Sequence, residues 1–354
     1  MNTYNIAAIP GDGIGPEVMT SAREVLEALS EAHGGFRLNF TAFPWSCQHY
    51  LETGSMMPEN GLELLKPFDA IFLGAVGFPS VPDHVSLWGL LIPIRRSFEQ
   101  YVCLRPVKLL PGVSSPLRLN PGAQIDYLVV RENTEGEYST MGGRIYQGTP
   151  HEVVNQISVF TKRGCERIIR YAFELARAKK KSLVTSATKS NGIIHSMPFW
   201  DEVFAEVAAQ YPDIGNEKMH VDALAAKFVL TPEKFGVVVG SNLFGDILTD
   251  LGAATVGSIG IGASANLNPE RTYPSCFEPV HGSAPDIVGQ GISNPLGQVW
   301  SGAMMLEHLG ELEAAARLEM AMNSVLQGGV RTRDLGGSSS TLEVTRALVD
   351  AVRS

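Results

Sequence analysis

No two cysteines stand at metal-knuckle spacing, basic residues do not outnumber acidic ones, and no apolar run reaches the roughly 18 residues of a membrane span. Cys47, Cys103, Cys165 and Cys276 are scattered along the chain. That spacing argues against a zinc knuckle or a disulfide framework and predicts four reduced thiols of a cytoplasmic protein. Lys and Arg number 28 against 37 Asp and Glu, a net charge of -9, so a phosphate backbone would be repelled and no nucleic-acid partner is expected. Small anions remain possible, because a few local arginines can collect a carboxylate whatever the overall charge. The opening MNTYNIAAIPGDG has no basic stretch leading into an apolar one, so no secretory leader and no membrane association are predicted.

What the sequence does contain is strand–turn–helix alternation. Its 354 residues suit about two domains, and 44% hydrophobic with 18% charged residues is ordinary for a globular enzyme. Residues 5–9 read as a strand, 11–15 as a turn and 17–29 as a helix. Apolar strands follow at 69–73, 127–130, 182–185 and 236–239, and helices at 299–309, 312–325 and 341–352. This pattern predicts an α/β fold with a mainly parallel sheet and ligands in loops beyond the strands' carboxyl ends. Residues 133–148 are rich in Gly, Ser and Thr, and 152–160 alternate apolar with polar. They predict a protruding hairpin, either packed on a partner subunit or lying free on the surface.

Candidate chemistry lies at strand ends. Gly11-Asp12-Gly13-Ile14-Gly15 follows a strand and precedes a helix, but its spacing is GxGxG. No second strand ends in an acid about 20 residues on, so a dinucleotide fingerprint is not met. A structural turn and a ligand loop are both open. In Ser241-Asn242-Leu243-Phe244-Gly245-Asp246-Ile247-Leu248-Thr249-Asp250, Asp246 and Asp250 are four apart and share one helical face. They would repel each other, and a divalent cation such as magnesium or manganese would turn repulsion into coordination. A solvated helix face explains them as well. Leu243, Ile247 and Leu251 read as the apolar stripe of that helix. Asp222 is a third carboxylate candidate, with a helix N-cap as its alternative. Arg95, Arg105 and Arg131 could hold a diacid by bidentate forks, or form ordinary ion pairs; Arg105 precedes Pro106 and is extended. Lys189 and Tyr138 are candidates for proton transfer, against solvated and interface alternatives. Glu278-Pro279-Val280-His281-Gly282-Ser283-Ala284-Pro285-Asp286 is a polar loop. Its small residues would let a ring or phosphate approach, and Asp286 could accept from both ribose hydroxyls and repel a 2′-phosphate.

IPGDGIGPE, VRENTEGEY, TKSNG, NLFGDILTDLG and EPVHGSAPDI occur together over nearly the whole length, and in this the chain resembles the β-decarboxylating dehydrogenases. That family comprises isopropylmalate, isocitrate, homoisocitrate and tartrate/D-malate dehydrogenases. VPDHVSLWGLLIPIRR and SANLNPERTYPS look most like the tartrate/D-malate branch. The resemblance implies a two-domain fold with a central sheet continuing across domains and a β-arm for dimerisation. Residues 1–100 with 255–354 would form a terminal domain carrying most of the NAD site. Residues 101–254 would form a central domain with the arm at about 133–160 and the metal and catalytic residues. It implies NAD, Mg2+ or Mn2+, and homodimers with shared active sites, leaving any potassium requirement open. Asp246 and Asp250 resemble the metal aspartates of one subunit and Asp222 that of its neighbour. Arg95, Arg105 and Arg131 match the carboxylate-holding arginines, with Asn191 beside the substrate. Lys189, from the neighbour, matches the residue that deprotonates the hydroxyl, and Tyr138 the one that protonates the enolate carbon. His281, Gly282, Ser283, Ala284, Asp286 and Asn294 match the NAD loop.

One departure stands out. Relatives typically read Asn-Leu-Arg-Pro where this chain has Cys103-Leu104-Arg105-Pro106, which removes an amide beside a substrate arginine. Trp88 lies seven residues before Arg95, two turns upstream on the same helix face, where with Leu91 it would fill the pocket for a C3 alkyl group. The expected function is therefore oxidation, with or without decarboxylation, of tartrate or D-malate. 3-Isopropylmalate dehydrogenase is the same-class alternative, and a non-catalytic diacid- or nucleotide-binding protein the alternative of another class.

Overall fold

The apolar runs around Ile6, Phe72, Val129, Val184 and Val238 become members of one sheet in the computed structural model, which describes residues 1–120 and 122–354. The strands are β1 (Asn2–Gly11), β2 (Phe36–Ala42), β3 (Ala70–Ala75), β4 (Val102–Lys108), β5 (Asp126–Glu132), β6 (Gly142–Ile145), β7 (Val153–Gln156), β8 (Leu183–Thr188), β9 (Gly215–His220), β10 (Val237–Gly240), β11 (Ala263–Leu267) and β12 (Ser275–Pro279). Ten of them form a sheet in the order β2-β1-β3-β12-β11-β4-β5-β10-β8-β9. β2, β1, β3 and β12 are parallel to one another, as are β5, β10, β8 and β9. β11 pairs antiparallel with β12 and β4, and β4 antiparallel with β5. Two parallel blocks therefore run in opposite directions and meet at an antiparallel seam.

The expected α/β fold with a mainly parallel sheet is present, and the seam was not foreseen. β2, β4, β9, β11 and β12 also went unread, so the strand at 69–73 is the third and not the second. The helices fall where their spacing put them: Gly15–His33, Leu296–Leu309, Leu312–Gln327 and Thr341–Arg353. The last is held by a capping box between Ser340 and Glu343. None of the helices among the described residues is long and apolar enough to cross a membrane.

A large core runs the length of the sheet, and a smaller one covers the other face of β1 and β3, gathering Ile9, Trp45, Ile71, Leu90, Ile94 and Phe98. The smaller core seats a helical segment that is α over Asp83–Ser86, π over Leu87–Leu91 and α again over Ile92–Ser97. Pro93 explains the widened turn. It has no N–H to offer the carbonyl four residues back, and its ring would strike it. The Ile92 N–H accordingly donates to the Leu87 carbonyl, five residues back.

The predicted hairpin forms as β6 paired antiparallel with β7. Met141, Ile145, Tyr146, Val153, Val154 and Ile157 all stand exposed along it, an apolar surface that the chain does not cover with its own residues.

Candidate active site

β5 and β10 end side by side, with Gly240 in register with Arg131. The helix Asn242–Thr255 starts just beyond, capped by Ser241, whose hydroxyl accepts from the Phe244 N–H. Arg131 is 2% exposed, and its guanidinium is held on three sides. Nε donates to the Asn242 carbonyl at 2.8 Å, Nη2 to Asn242 Oδ1 at 2.6 Å and Nη1 to Asp246 Oδ1 at 2.7 Å. Gly245 makes this possible, since a Cβ there would stand 2.5 Å from Arg131 Cβ.

Arg105 comes in from β4. Its Nη1 donates to Thr249 Oγ1 at 2.6 Å and lies 3.5 Å from Asp250 Oδ1 and 3.8 Å from Asp246 Oδ1, while Nε donates to Ser264 Oγ at 3.4 Å. Two buried hydroxyls thus orient Arg105, and Cys103 Sγ lies 3.5 Å from the same Ser264 hydroxyl. Arg95 donates to Glu278 Oε1 at 2.8 Å, and that atom also accepts from Asn266 Nδ2 at 2.7 Å. Arg105 and Arg131 lie within strands at the seam, so this part of the site is not made of loops beyond carboxyl ends, contrary to the expectation.

Asp246 and Asp250 do share one face, but the helix buries Phe244, Leu248 and Gly252 against the sheet. The apolar stripe is split: Ile247 is 56% exposed, Leu243 is half-buried and Leu251 packs on the large core. The reason is register. The N-cap and the Gly245 contact fix which face meets Arg131, and Ile247 then falls on the far side. Burial raises the Asp250 carboxyl above its usual range; Arg105 opposes the shift and the Asp246 charge adds to it. Tyr138 donates its hydroxyl to Asp246 Oδ2 at 2.9 Å. The preceding Glu137 anchors it by accepting from the Ser241 hydroxyl at 2.8 Å and the Leu243 N–H at 3.0 Å. Burial, then Asp246, push the phenol upward, so it stays protonated and able to donate.

A second group stands apart. β8 and β9 end in register at Thr188 and His220, and Lys189 Nζ meets Asp222 Oδ1 at 2.7 Å. Asp222 is no N-cap. His220 holds that position and Asp222 sits in the first turn of Val221–Leu230, its carboxyl lowered by the Lys189 hydrogen bond. Neither Lys189 nor Asp222 makes a hydrogen bond or ion pair to the Arg131–Asp246 group among the described residues, and Asn191 lies on an exposed turn. Carboxylate oxygens one helical turn apart are hard donors suited to magnesium or manganese. Among the described residues, however, no three His, Cys, Asp or Glu side chains converge. Asp246 and Asp250 therefore offer two such donors, and no third side chain of this kind joins them among the described residues.

The GDG turn and the 281–286 loop touch. Gly13, at φ +59°, has no room for a side chain, since a Cβ would meet the Ser283 carbonyl oxygen at 2.0 Å. Asp12 is a structural knot, accepting from the N–H groups of Cys47 at 2.9 Å, Gly77 at 3.1 Å and Gln48 at 3.3 Å. His281 keeps its Nε2 buried without a partner, and burial lowers its pKa. That atom suits a ring or hydroxyl of a nucleotide. Ser283 is buried; Gly282 and Asp286 are exposed, and the Asp286 carboxylate has no partner among the described residues. Ala284 adopts φ +39°. The Asn294 amide is engaged within the protein, donating to Asp334 at 2.9 Å and accepting from Leu296 N–H at 3.0 Å. Leu91 leans on the smaller core. Trp88 belongs to neither core, and its ring lies 5.1 Å from the Arg96 guanidinium. The expected alignment of Trp88 with Arg95 fails because the π-turn inserts one residue. Two turns then span eight positions, and Trp88 shares its face with Arg96. No role was read from the sequence for Arg96, Asn242, Thr249, Ser264 or Glu278, although all five lie inside segments quoted from it.

A family model described as isocitrate/isopropylmalate dehydrogenase matches residues 5–352. The chain is 56% identical to a probable tartrate dehydrogenase/decarboxylase of Bacillus subtilis over 100% of its own length and 99% of that protein's. It is 55% identical to the D-malate dehydrogenase [decarboxylating] of Escherichia coli over 98% of each. The crystal structure of an isocitrate dehydrogenase from Methylococcus capsulatus superposes with a TM-score of 0.89 at 35% identity, covering 99% of this chain and 100% of that one.

Proposed function

Because the chain belongs to the isocitrate/isopropylmalate dehydrogenase family, we propose that it is an enzyme oxidising D-malate or tartrate, with loss of carbon dioxide from D-malate. NAD and Mg2+ or Mn2+ would assist, in a homodimer that shares its active sites. The observation that carries this is the gathering of buried Arg105 and Arg131 beside the Asp246–Asp250 face, with buried Arg95 close enough for its charge to act on both. The names of the relatives support the substrate class.

The three arginines hold the two substrate carboxylates, and their fixed forks set which carbon faces Asp246 and Asp250. When bound, the metal ion lowers the pKa of the substrate hydroxyl and stabilises negative charge on oxygen, and NAD accepts the hydride. Asp222 of the partner subunit joins Asp246 and Asp250 as a third carboxylate. Lys189 of the partner subunit takes the hydroxyl proton at its Nζ. Tyr138 returns a proton from its phenol oxygen to the carbon that carbon dioxide leaves. Residues 1–100 with 255–354 act as the terminal domain and 101–254 as the central one, whose arm meets the partner's arm through the exposed residues of β6 and β7. The free Asp286 carboxylate faces the ribose hydroxyls and selects NAD over NADP.

Absorbance at 340 nm with NAD, Mn2+ and each of D-malate, tartrate and 3-isopropylmalate tests the reading. D-malate or tartrate should be turned over with the higher kcat/KM. Comparable efficiency on 3-isopropylmalate would defeat the substrate assignment, and binding without turnover of any would favour a diacid sensor. Asp286→Ser should narrow the preference for NAD, and equal use of both cofactors by the unmodified protein would refute its role.

A further inference from the structure

Arg95 and Arg96 are neighbours in one short helix and do different things. Arg95 is buried and paired with Glu278. Arg96 is half-buried and has no carboxylate within ion-pair distance among the described residues. Its Nη2 instead donates to the backbone carbonyl of Tyr138 at 2.5 Å, and its guanidinium lies over the Trp88 ring at 5.1 Å. Tyr138 continues the line, its hydroxyl on Asp246 and its ring 5.6 Å from the Arg131 guanidinium. Trp88, Arg96, Tyr138 and Asp246 thus form one contiguous chain from the π-turn through the root of the arm to the carboxylate face. An arginine spent on a backbone carbonyl and an indole face contributes no charge pairing. What it fixes is the position of those two groups relative to each other.

We propose that Arg96 is a specificity-determining positioning residue, holding the Trp88 indole and the Tyr138 backbone as one unit that walls the substrate pocket against substituents at C3. This rests on the proposed hydroxy-diacid activity. Trp88 is free to serve because the π-turn turns it away from the core. The other tryptophans, Trp45, Trp200 and Trp300, are 3%, 0% and 4% exposed and sit in the core clusters. An indole attached only to a flexible helix face would swing aside for an alkyl group. One held by a guanidinium over its face cannot do so without losing that cation–π contact.

The test uses the full-length protein with Arg96→Gln and Arg96→Lys. One readout is the ratio of kcat/KM for D-malate to that for 3-isopropylmalate, and the other is quenching of tryptophan emission by acrylamide. Arg96→Gln should lower the ratio by about tenfold or more, the scale of a lost shape discrimination. It should also raise quenching, an increase that disappears in a Trp88→Phe background because the other three indoles are buried. Arg96→Lys should restore both in part, since an ammonium can reach the carbonyl and the ring without stacking flat. Unchanged quenching in Arg96→Gln overturns the clamp. Increased quenching with an unchanged ratio overturns the role in specificity. If the unmodified protein turns over neither D-malate nor tartrate, the proposed activity fails, and quenching still decides whether Arg96 holds Trp88. Should Arg96→Gln unfold, Arg96→Lys is read against wild type by the same two measurements.

Discussion

The Arg131–Asp246 group and the Lys189–Asp222 pair lie at the ends of neighbouring parallel strands, yet they are built in opposite ways. Arg131 has 3% of its side chain exposed and Asp246 32%, and each of that arginine's three nitrogens donates within the chain, which leaves two N–H groups for a ligand. Lys189 and Asp222 are 31% and 68% exposed, and the pair they make is with each other. The first group is preorganised by its hydrogen bonds, although burial still outweighs Asp246 and lowers the Arg131 pKa. The second is accessible enough to be redirected to a new partner at small cost. A site assembled from both would have one half set by the fold of a chain and the other delivered by whatever docks there.

The largest effect should come from separating the halves genetically. Lys189→Met and Asp250→Asn should each lower turnover at limiting Mn2+ by at least about a hundredfold, while circular dichroism stays native. If the halves meet across a dimer, mixing the two inactive proteins under subunit exchange should restore roughly a quarter of wild-type activity, because each heterodimer regains one intact site. Mixtures that stay inactive, with exchange verified by mass, would confine both halves to one chain.

Stability should divide the same two regions. Asp246→Ala leaves the buried Arg131 and Arg105 guanidinium groups short of a counter-charge and should cost about 3 kcal/mol in denaturant unfolding. Asp222→Ala should leave the unfolding midpoint of the isolated subunit unchanged. Equal losses would mean that the exposed pair is structural after all.

A smaller difference should appear with pH. The folded pKa of Asp250 is raised, so its contribution to stability is full below the unfolded value and lost as pH climbs through the folded value. Asp250→Asn should therefore melt higher than wild type at neutral pH without metal, and the gap should close toward acid. Solvent screens much of this, because 63% of the side chain is exposed. For Asp222 the shift is downward, so its contribution holds above the unfolded value and fades as pH falls through the folded one. Added Mn2+ should cancel the advantage of Asp250→Asn, and a gap independent of pH would show that charge is not its origin.

The inner parallel strands β1, β3, β5, β8 and β10 were legible because they carry continuous apolar runs, whereas the largely exposed edge strands β2 and β9 were not; the helices that were read owe it to local spacing and caps. The seam strands were not legible either. β4 carries Arg105 and Pro106, which argue against a central strand, and β11 is built from small residues without alternation. β12 ends in Glu278 and Pro279 and read as loop, so the Arg95–Glu278 pair, 183 residues apart, went unseen. The carboxylate pair at 246 and 250 was visible from helical periodicity alone, and the identity of its neighbours was not. Nothing local announces that Thr249 and Ser264 orient Arg105, because the contact is made by tertiary folding of positions 144 and 159 residues away. Trp88 was placed two regular turns before Arg95, and the π-turn ahead of Pro93 puts its ring beside Arg96 instead.

The widened turn at Leu87–Leu91 separates two kinds of change open to this molecule. Arg105 and Arg131 are embroidered into strands whose register is fixed on both sides, so the part of the seat that reads carboxylates cannot shift without unpicking the sheet. Trp88 hangs from a helical turn one residue too long. Deleting a residue there would return the segment to α spacing and swing the indole by about 100° about the helix axis, leaving both strand arginines where they are. Under the proposed role for Trp88, the grammar common to all the diacids is written in the sheet, and the word that distinguishes one from another is written in a single spare residue.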